Sequence, residues 1–280
     1  MMKISNIIND KFDIIIVAGQ SNAMGCGLGE TNTPWEINDK IMMFNEKYTA
    51  DVISTPYGDR LEIETTGDCY INQADEREDG ANKLAVFCLS FAKKYVENNL
   101  DEDRKVLIVQ TAIGGTGFAR NHWGKGEKLE KRMYEMVDAA LSMNKENRIV
   151  ALLWHQGEHD IFENAEFDYA TRYAYYTEKL DAFLSGVKEK YGDIPFVSGG
   201  FCKGWISEQS QDNVNAIKNG YKTVYGKFNK VAHVWDTDDL KSNSEVVKDN
   251  TDNIHFCRDS AYELGRRYYE KFIEIIKENK

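Results

Sequence analysis

The sequence predicts an α/β fold in which helices alternate with the strands of a central parallel sheet. Apolar runs typical of buried strands begin at Phe12, Lys105 and Arg148, and each ends on a cluster of small or polar residues. Apolar residues at helical spacing occupy the segments at about 81–98 and 126–143. Strands that alternate with helices form parallel sheets with right-handed crossovers. The carboxyl ends of the strands should therefore meet at one edge, where open α/β folds bind their ligands.

The other predicted elements continue this alternation. They are two helices and two strands, at about 166–190, 258–277, 194–200 and 231–235. Residues 27–79 are irregular, with Pro34, Pro56, Gly58 and Gly67 among mixed polar residues, and are predicted to be a loop-rich insertion that walls the pocket. We expect residues 1–280 to form one domain, because a chain of this length can bury one large core.

Ser21 directly follows the first predicted strand, in the segment Gly-Gln-Ser-Asn. A serine there either caps the next helix or presents a nucleophilic hydroxyl at the sheet edge. Asp252 and His255, three residues apart near the other end of the chain, favour the second interpretation. A serine hydroxyl needs a neighbouring base, and an imidazole base needs a carboxylate that fixes its tautomer. Ser21, His255 and Asp252 are the candidates for these roles.

Competing motifs are weaker. The segment 155–159 reads His-Gln-Gly-Glu-His and fits a zinc-protease pattern, H-x-x-E-H. That chemistry needs both histidines on one helical face, whereas this segment follows a strand-like run and has glycine at its centre. The glycine-rich stretch after the second strand has Arg120 where a dinucleotide fingerprint needs glycine or alanine. Residues 19–25 lack the lysine of a phosphate-binding loop. The sequence therefore disfavours a metal site and nucleotide binding.

The overall charge also narrows the set of partners. A net charge of −11 disfavours nucleic acid and anionic membranes, since both would repel the chain at long range. Five cysteines without a C-x-x-C pair suit a reducing compartment. Residues 1–10 lack the apolar stretch of a signal peptide, and no run is long enough for a transmembrane segment. We therefore expect a cytoplasmic location.

Four motifs together resemble those of the SGNH hydrolase superfamily, and most closely its sialate O-acetylesterase-like branch. That branch includes the acetylxylan esterases of carbohydrate esterase family 6. The motifs are, in chain order, Gly19–Asn22, Gly114–Thr116, His155–Glu158 and Asp252–His255. The resemblance implies a flavodoxin-like three-layer α/β/α sandwich around the parallel sheet. It also implies a serine esterase without a metal or organic cofactor, which removes acetyl groups from a small carbohydrate substrate.

The resemblance further implies roles for individual residues. Ser21 is the expected nucleophile, His255 the base and Asp252 its orienting partner. The backbone N–H groups of Ser21 and Gly115, together with the Gln156 side chain, are the expected oxyanion hole.

Other residues near these motifs have less defined roles. Gly114 is the alternative to Gly115 as an oxyanion donor, and Glu158 is expected to hold the loop of Gln156. The candidate substrate contacts are Gln20, Asn22, Arg120 and Trp123. An Arg120 that faces the pocket would suit the carboxylate of sialic acid, whereas one turned outward would favour a neutral, xylan-type sugar.

Acetylated xylo-oligosaccharides and O-acetylated sialic acid both remain candidate substrates. An esterase acting on other short-chain acyl esters is an alternative, as is a catalytically silent carbohydrate-binding relative. The complete set of Ser21, Asp252 and His255 argues against the silent relative.

Overall fold

The computed structural model describes residues 10–55 and 58–278, and its strands are built around the predicted apolar runs. Within these residues the strands are β1 (Lys11–Gly19), β2 (Ile41–Thr55), β3 (Gly58–Gln73), β4 (Arg77–Asp79), β5 (Asn82–Leu84), β6 (Arg104–Gln110), β7 (Arg148–His155), β8 (Phe196–Gly199) and β9 (Val231–Val234). The α-helices are α1 (Ser21–Met24), α2 (Phe87–Asn98), α3 (Lys128–Ser142), α4 (Glu158–Phe162), α5 (Tyr169–Tyr191), α6 (Lys203–Ile206), α7 (Gln211–Tyr225), α8 (Asn243–Val246) and α9 (Arg258–Glu278). The segment inspected for a signal peptide lies, except for its last residue, outside the described residues.

Seven strands form one sheet in the order β3-β2-β6-β1-β7-β8-β9, while β4 and β5 pair separately. All neighbours in the large sheet run parallel except β2 and β3. β1 lies between β6 and β7, and its residues from Phe12 onward are buried. A continuous apolar run is typical of a strand that is covered on both faces. The predicted α/β fold with a central, mostly parallel sheet is confirmed, with β3 as an antiparallel edge.

Helices cover both faces of the sheet. Successive side chains of a strand point to opposite faces, so Trp154 and His155 in β7 lie on opposite faces of the sheet. Trp154 packs against Phe183 of α5, with ring centroids 4.7 Å apart. His155 lies against Phe87 of α2 and Tyr268 of α9. The two helical layers and the sheet between them make the expected three-layer sandwich.

The prediction of a loop-rich insertion at 27–79 is wrong for most of that segment. β2 and β3 form a long antiparallel hairpin at the edge of the sheet. Only Ile41–Phe44 of β2 pair with β6, so the rest of the hairpin extends beyond the body of the sheet. Apart from Ile41–Phe44, the apolar side chains of the hairpin that are buried include Ile63 and Ile71, and the polar residues between them explain the irregular sequence. Pro56, one of the residues that suggested a loop, lies outside the described residues.

Smaller differences concern the helices. The helix predicted from residue 81 begins at Phe87, because Asn82–Leu84 form β5. Helix α7 was not predicted. No helix within the described ranges combines the length and the apolar character that a membrane span requires.

A buried ion cluster ties β1 to both of its neighbours. Asp13 of β1 is fully buried and accepts hydrogen bonds from Arg104 Nε of β6 at 2.6 Å and from Arg148 Nε of β7 at 2.7 Å. Tyr95 of α2 donates its hydroxyl to the same carboxylate at 2.7 Å. A buried carboxylate is tolerated only when it is paired and hydrogen-bonded, so this cluster fixes the amino ends of the three central strands.

Replacing Asp13 by alanine should therefore lower the free energy of unfolding by about 3–5 kcal/mol, because the Arg104 guanidinium would stay buried without its counter-charge. Urea denaturation measures the change. Asp103→Ala is the matched control, since it removes an exposed carboxylate that pairs with Lys11, and its unfolding midpoint should stay close to that of the wild type. Equal stability of the two variants would contradict the structural role of Asp13.

Candidate active site

A close approach of two strand ends positions Ser21. At the end of β1, Gly19 has a φ of +119°, and a Cβ there would lie 2.1 Å from the carbonyl oxygen of His155 in β7. Only glycine accepts both the conformation and the contact. The backbone N–H of Gln20 then donates to the same carbonyl at 2.9 Å. Ser21 begins α1 directly at the carboxyl edge of the sheet, with 8% of its surface exposed.

Ser21, His255 and Asp252 form a continuous hydrogen-bonded chain. His255 Nε2 lies 2.8 Å from Ser21 Oγ, and His255 Nδ1 lies 2.8 Å from Asp252 Oδ2. The backbone N–H of His255 also donates to Asp252 Oδ1 at 3.2 Å. The structure thus brings together the three residues that the sequence predicted, although they come from opposite ends of the chain.

Asn243, which sequence reasoning missed, supports the carboxylate of Asp252. Its Nδ2 donates to Asp252 Oδ2 at 2.8 Å, and its Oδ1 accepts from the backbone N–H of Leu28 at 2.8 Å. Burial acts to raise the pKa of Asp252, but hydrogen bonds from His255 and Asn243 and the charge of His255 outweigh it and hold the pKa below its usual value. Asp252 is therefore ionised at neutral pH. The capping box of Ser242 and Glu245 marks this turn in the sequence, but it does not reveal the contact with Asp252.

The glycine-rich turn after β6 lies beside Ser21. A Cβ on Gly114 would lie 3.6 Å from Ser21 Cβ, and Gly115 has a φ of +70° and is exposed. Across residues 10–55 and 58–278, no hydrogen-bond acceptor is seen for the backbone N–H of Ser21, Gly114 or Gly115. Backbone donors are thus available beside Ser21, and both glycines stay candidates for the oxyanion hole.

The Gln156 side chain does not share this position. It is fully buried, and its Nε2 donates to Asp160 and, at 3.4 Å, to Gln20 Oε1. Its Oε1 accepts from the hydroxyl of Tyr176 at 3.2 Å. Both N–H groups of the amide are used within the protein, so the prediction that Gln156 donates to the oxyanion is corrected here to a bracing role. The strand-end position was read correctly, but the sequence does not show which way the side chain turns.

Asp160 is a second residue that sequence reasoning missed. It accepts hydrogen bonds from the backbone N–H groups of Phe118 at 3.0 Å and Ala119 at 2.7 Å, as well as from Gln156. Burial raises the pKa of the Asp160 carboxyl to about 6, and these N–H donors act against that shift. Asp160 therefore ties the loop after the glycine-rich turn to α4. Its spacing from Gln156, four residues, was the available signal.

Two of the predicted substrate contacts, Gln20 and Asn22, are buried. Gln20 Oε1 accepts from the backbone N–H groups of Gly157 at 3.3 Å and His159 at 3.2 Å. Asn22 Nδ2 donates to Glu158 Oε1 at 2.8 Å. Both side chains join the turn of Ser21 to the loop after β7. They are corrected from substrate contacts to internal braces.

The other two predicted contacts are also placed differently from what was expected. Trp123 is fully buried and donates its Nε1–H to Thr116 Oγ1 at 2.9 Å, so it cannot stack on a sugar ring. Arg120 is exposed and pairs with Glu163 at 3.1 Å. Only its Nε is engaged there, but Arg120 does not line the cavity beside the turn of Ser21.

A cavity of about 440 Å³ lies between the β2–β3 hairpin and the turn of Ser21. Met24 of α1 lines it, and a Cβ on Gly114 would touch both Met24 and Ser21. The hydroxyl of Tyr48 in the hairpin lies 3.2 Å from Met24 Sδ. The segment 27–79 therefore lines this cavity, mainly through its hairpin, whereas Ser21, Asp252 and His255 are not among the lining residues.

Arg77 lines the same cavity. Its Nε donates to the carbonyl of Gly25 at 2.7 Å, and its Nη2 is 3.4 Å from Asp79. The other arginine of the lining, Arg132, is bound to Glu46 at 2.6 Å. Arg77 is thus the cavity arginine whose ion pair is long and exposed.

The two histidines of the H-x-x-E-H pattern do not share a helix. His155 ends β7, and its Nε2 is 3.3 Å from Glu158 Oε1, whereas His159 lies on α4. Burial, with a contribution from the charge of Arg120, lowers the pKa of His159 to about 4. In the described part of the chain, no group of three or more His, Cys, Asp or Glu side chains is arranged to hold a metal ion.

Solved structures with the same fold are known. NanS is similar with a TM-score of 0.69 and 18% identity, over 96% of this chain and 98% of NanS. A protein from Arabidopsis thaliana gives 0.67 and 17%, over 94% of this chain and 98% of that one. A carbohydrate acetylesterase from Xanthomonas citri gives 0.57 and 13%, over 94% of this chain and 56% of that one. At these identities the likeness supports the fold alone.

The sequence itself carries the family assignment. No curated protein sequence matches the chain. Residues 11–274, however, match the family model described as carbohydrate esterase, sialic acid-specific acetylesterase. The predicted resemblance is thereby confirmed, and the chain belongs to the sialic acid-specific acetylesterase family of carbohydrate esterases, which are carboxylic ester hydrolases.

Proposed function

We propose that the protein is a serine esterase that removes O-acetyl groups from a small carbohydrate. The observation that carries the proposal is the hydrogen-bonded chain from Ser21 through His255 to the ionised Asp252. This order of groups is the one that activates a serine hydroxyl. It stands next to a cavity large enough for a sugar and beside unpaired backbone donors.

The first half of the reaction forms an acyl-enzyme. His255 Nε2 takes the proton of Ser21 Oγ as that oxygen attacks the acetyl carbonyl carbon. The N–H groups of Ser21 and Gly115 stabilise the negative charge that develops on the carbonyl oxygen. When the C–O bond to the sugar breaks, His255 returns the proton to the departing sugar oxygen, and Asp252 stabilises the imidazolium in between.

The second half releases acetate. Water gives its proton to His255 and attacks the acetyl-Ser21 ester, and the resulting tetrahedral centre collapses with loss of Ser21 Oγ. The proton on His255 returns to that oxygen, which restores the starting enzyme. Every proton that moves does so through His255.

Two alternatives differ in observable ways. An esterase for other short acyl esters would share the chemistry but accept propionyl or butyryl groups as well as acetyl. A silent carbohydrate-binding relative would bind sugars without turnover, and the fully connected Ser21–His255–Asp252 chain argues against it.

Ser21→Ala should reduce hydrolysis of p-nitrophenyl acetate by at least ~10³-fold, because triad members act as a unit. Ser142→Ala removes an exposed hydroxyl from α3 and should leave the rate unchanged. The measurement is the initial rate of p-nitrophenyl acetate hydrolysis by the wild type and by both folded variants. A Ser21→Ala enzyme with most of its activity would end the serine mechanism.

Gln156→Ala tests the reassignment of this side chain. It removes the hydrogen bonds that the buried amide makes with Asp160 and Tyr176, so the free energy of unfolding should fall by about 1–3 kcal/mol. The kcat of the folded fraction should change by less than ~10-fold, whereas loss of an oxyanion donor costs ~10²–10³-fold. Denaturation curves and kcat measured on one preparation separate the two roles. An unchanged free energy of unfolding together with a ~10²–10³-fold loss of kcat would instead show that Gln156 donates to the oxyanion.

Arg77 discriminates between the two candidate substrates. If the substrate is O-acetylated sialic acid, Arg77→Gln should lower kcat/KM for it by at least ~10-fold, because a charge-assisted hydrogen bond to the carboxylate is lost. The kcat/KM of Arg77→Gln for p-nitrophenyl acetate, which has no carboxylate, should stay close to that of the wild type. Arg120→Gln, which removes an arginine already paired with Glu163, is the control.

Acetate release from O-acetylated sialic acid and from acetylated xylo-oligosaccharides is the measurement for all three proteins. Equal losses on both sugars and on the aryl ester would mean that Arg77 only supports the turn of Ser21. A preference of the wild type for the neutral sugar would make it a xylan-type esterase.

A further inference from the structure

Asn22 joins the backbone of the turn of His255 to the turn of Ser21. Its Nδ2 donates to the carbonyl oxygen of Ile254 at 3.2 Å, and its Oδ1 accepts from the backbone N–H of Phe256 at 3.2 Å. These two backbone groups belong to the residues on either side of His255. One side chain therefore holds the peptide groups that flank the imidazole.

The other end of this connection is fixed at the nucleophile. Asn22 is the residue after Ser21, and both lie in α1, whose start is held by the contact of Gly19 and Gln20 with the His155 carbonyl. The Asn22 amide therefore sits at a set distance from Ser21 Oγ. Because it also holds the backbone of His255, it helps to set the 2.8 Å separation between Nε2 and Oγ.

Glu158 determines which way the Asn22 amide is turned. Its Oε1 accepts from Asn22 Nδ2 at 2.8 Å, and the carboxylate is fully buried. Nδ2 thus faces two acceptors, Glu158 and the Ile254 carbonyl, while Oδ1 faces a donor. A flipped amide would point its oxygen at both acceptors and its NH₂ at the Phe256 N–H, so only one orientation is satisfied.

The charge of Glu158 is retained in the buried site. Burial acts to raise its pKa, but the charge of His155 and the hydrogen bond from Asn22 hold the pKa below its usual value. His155 Nδ1 is in turn 2.9 Å from the hydroxyl of Tyr268 on α9. A series of contacts therefore leads from Tyr268 in the core through His155, Glu158 and Asn22 to the backbone that flanks His255.

We propose that Asn22 is a positioning residue, which holds His255 in reach of Ser21, and that Glu158 acts through it by fixing the amide. The proposal rests on the serine mechanism proposed above. Neither residue touches the reacting atoms, so their effect is on the geometry of proton transfer. Misplacement of a catalytic group by about 1 Å can cost ~10²-fold in rate.

A double-mutant cycle with His255 tests this role. Asn22→Ala should lower kcat for p-nitrophenyl acetate by ~10–100-fold and change KM by less than ~3-fold. In a His255→Ala background the same change should cost less than ~2-fold, because a residue that acts only through His255 has nothing left to position. Asn98→Ala, which removes a hydrogen-bonded asparagine on the surface of α2, should leave kcat unchanged.

Glu158→Gln keeps the shape of the carboxylate and provides a second cycle if Asn22→Ala does not fold. It should lower kcat by less than Asn22→Ala does, and it too should lose its effect when His255 is absent. In the Asn22→Ala enzyme, where that variant folds, Glu158→Gln should add no further loss. Melting temperatures of all variants report whether stability, rather than positioning, has changed.

The outcomes separate this inference from the proposed function. Normal kcat in a folded Asn22→Ala enzyme, or losses that multiply with that of His255→Ala, would overturn the positioning role and leave the serine mechanism intact. Full activity of His255→Ala itself would overturn the mechanism, and with it the role of Asn22.

Discussion

The contact between Gly19 and the carbonyl of His155 is the constraint on which the site depends. A side chain at position 19 would collide with that carbonyl, so the absence of a Cβ lets the ends of β1 and β7 come together. The turn of Ser21 then lies against the loop after β7, within reach of side chains from both. At the opposite end of the same strands, Asp13 holds the central strands in register. The sheet is thus fixed at both ends by contacts of β1.

Most of the polar residues in the family motifs act as braces. Gln20, Asn22, Gln156 and Glu158 are buried and bind one another or neighbouring backbone groups. Buried polar side chains are costly when they are left without partners, so the hydrogen bonds of this network favour one arrangement of the loops. The chemistry is left to the few groups at the surface of this network. The His-Gln-Gly-Glu motif, residues 155–158, therefore supports the site.

The sequence predicted the parts of the fold and the site that follow from local pattern. Buried parallel strands are apolar throughout, and β1, β6 and β7 were found within two residues of their ends. Ser21, Asp252 and His255 stand out because their chemistry restricts the residue types. The direction of a side chain in the loops that follow the strands depends on tertiary packing, which is why Trp123 and Gln156 were misassigned. The β2–β3 hairpin was missed because its few buried apolar residues, such as Phe44 and Ile71, are separated by many polar ones, and Asn243 because the capping box that marks its turn does not reveal the contact with Asp252.

Covalent labelling of Ser21 tests the central claim most directly, namely that this hydroxyl is a nucleophile activated by His255. The protein would be treated with a fluorophosphonate ester, and intact and peptide masses would be measured for the wild type and for His255→Ala. The account predicts one adduct on the peptide that carries Ser21, which forms at least ~10²-fold more slowly when His255 is absent. An adduct on another residue, such as Cys26, or equal labelling rates in both proteins would contradict it.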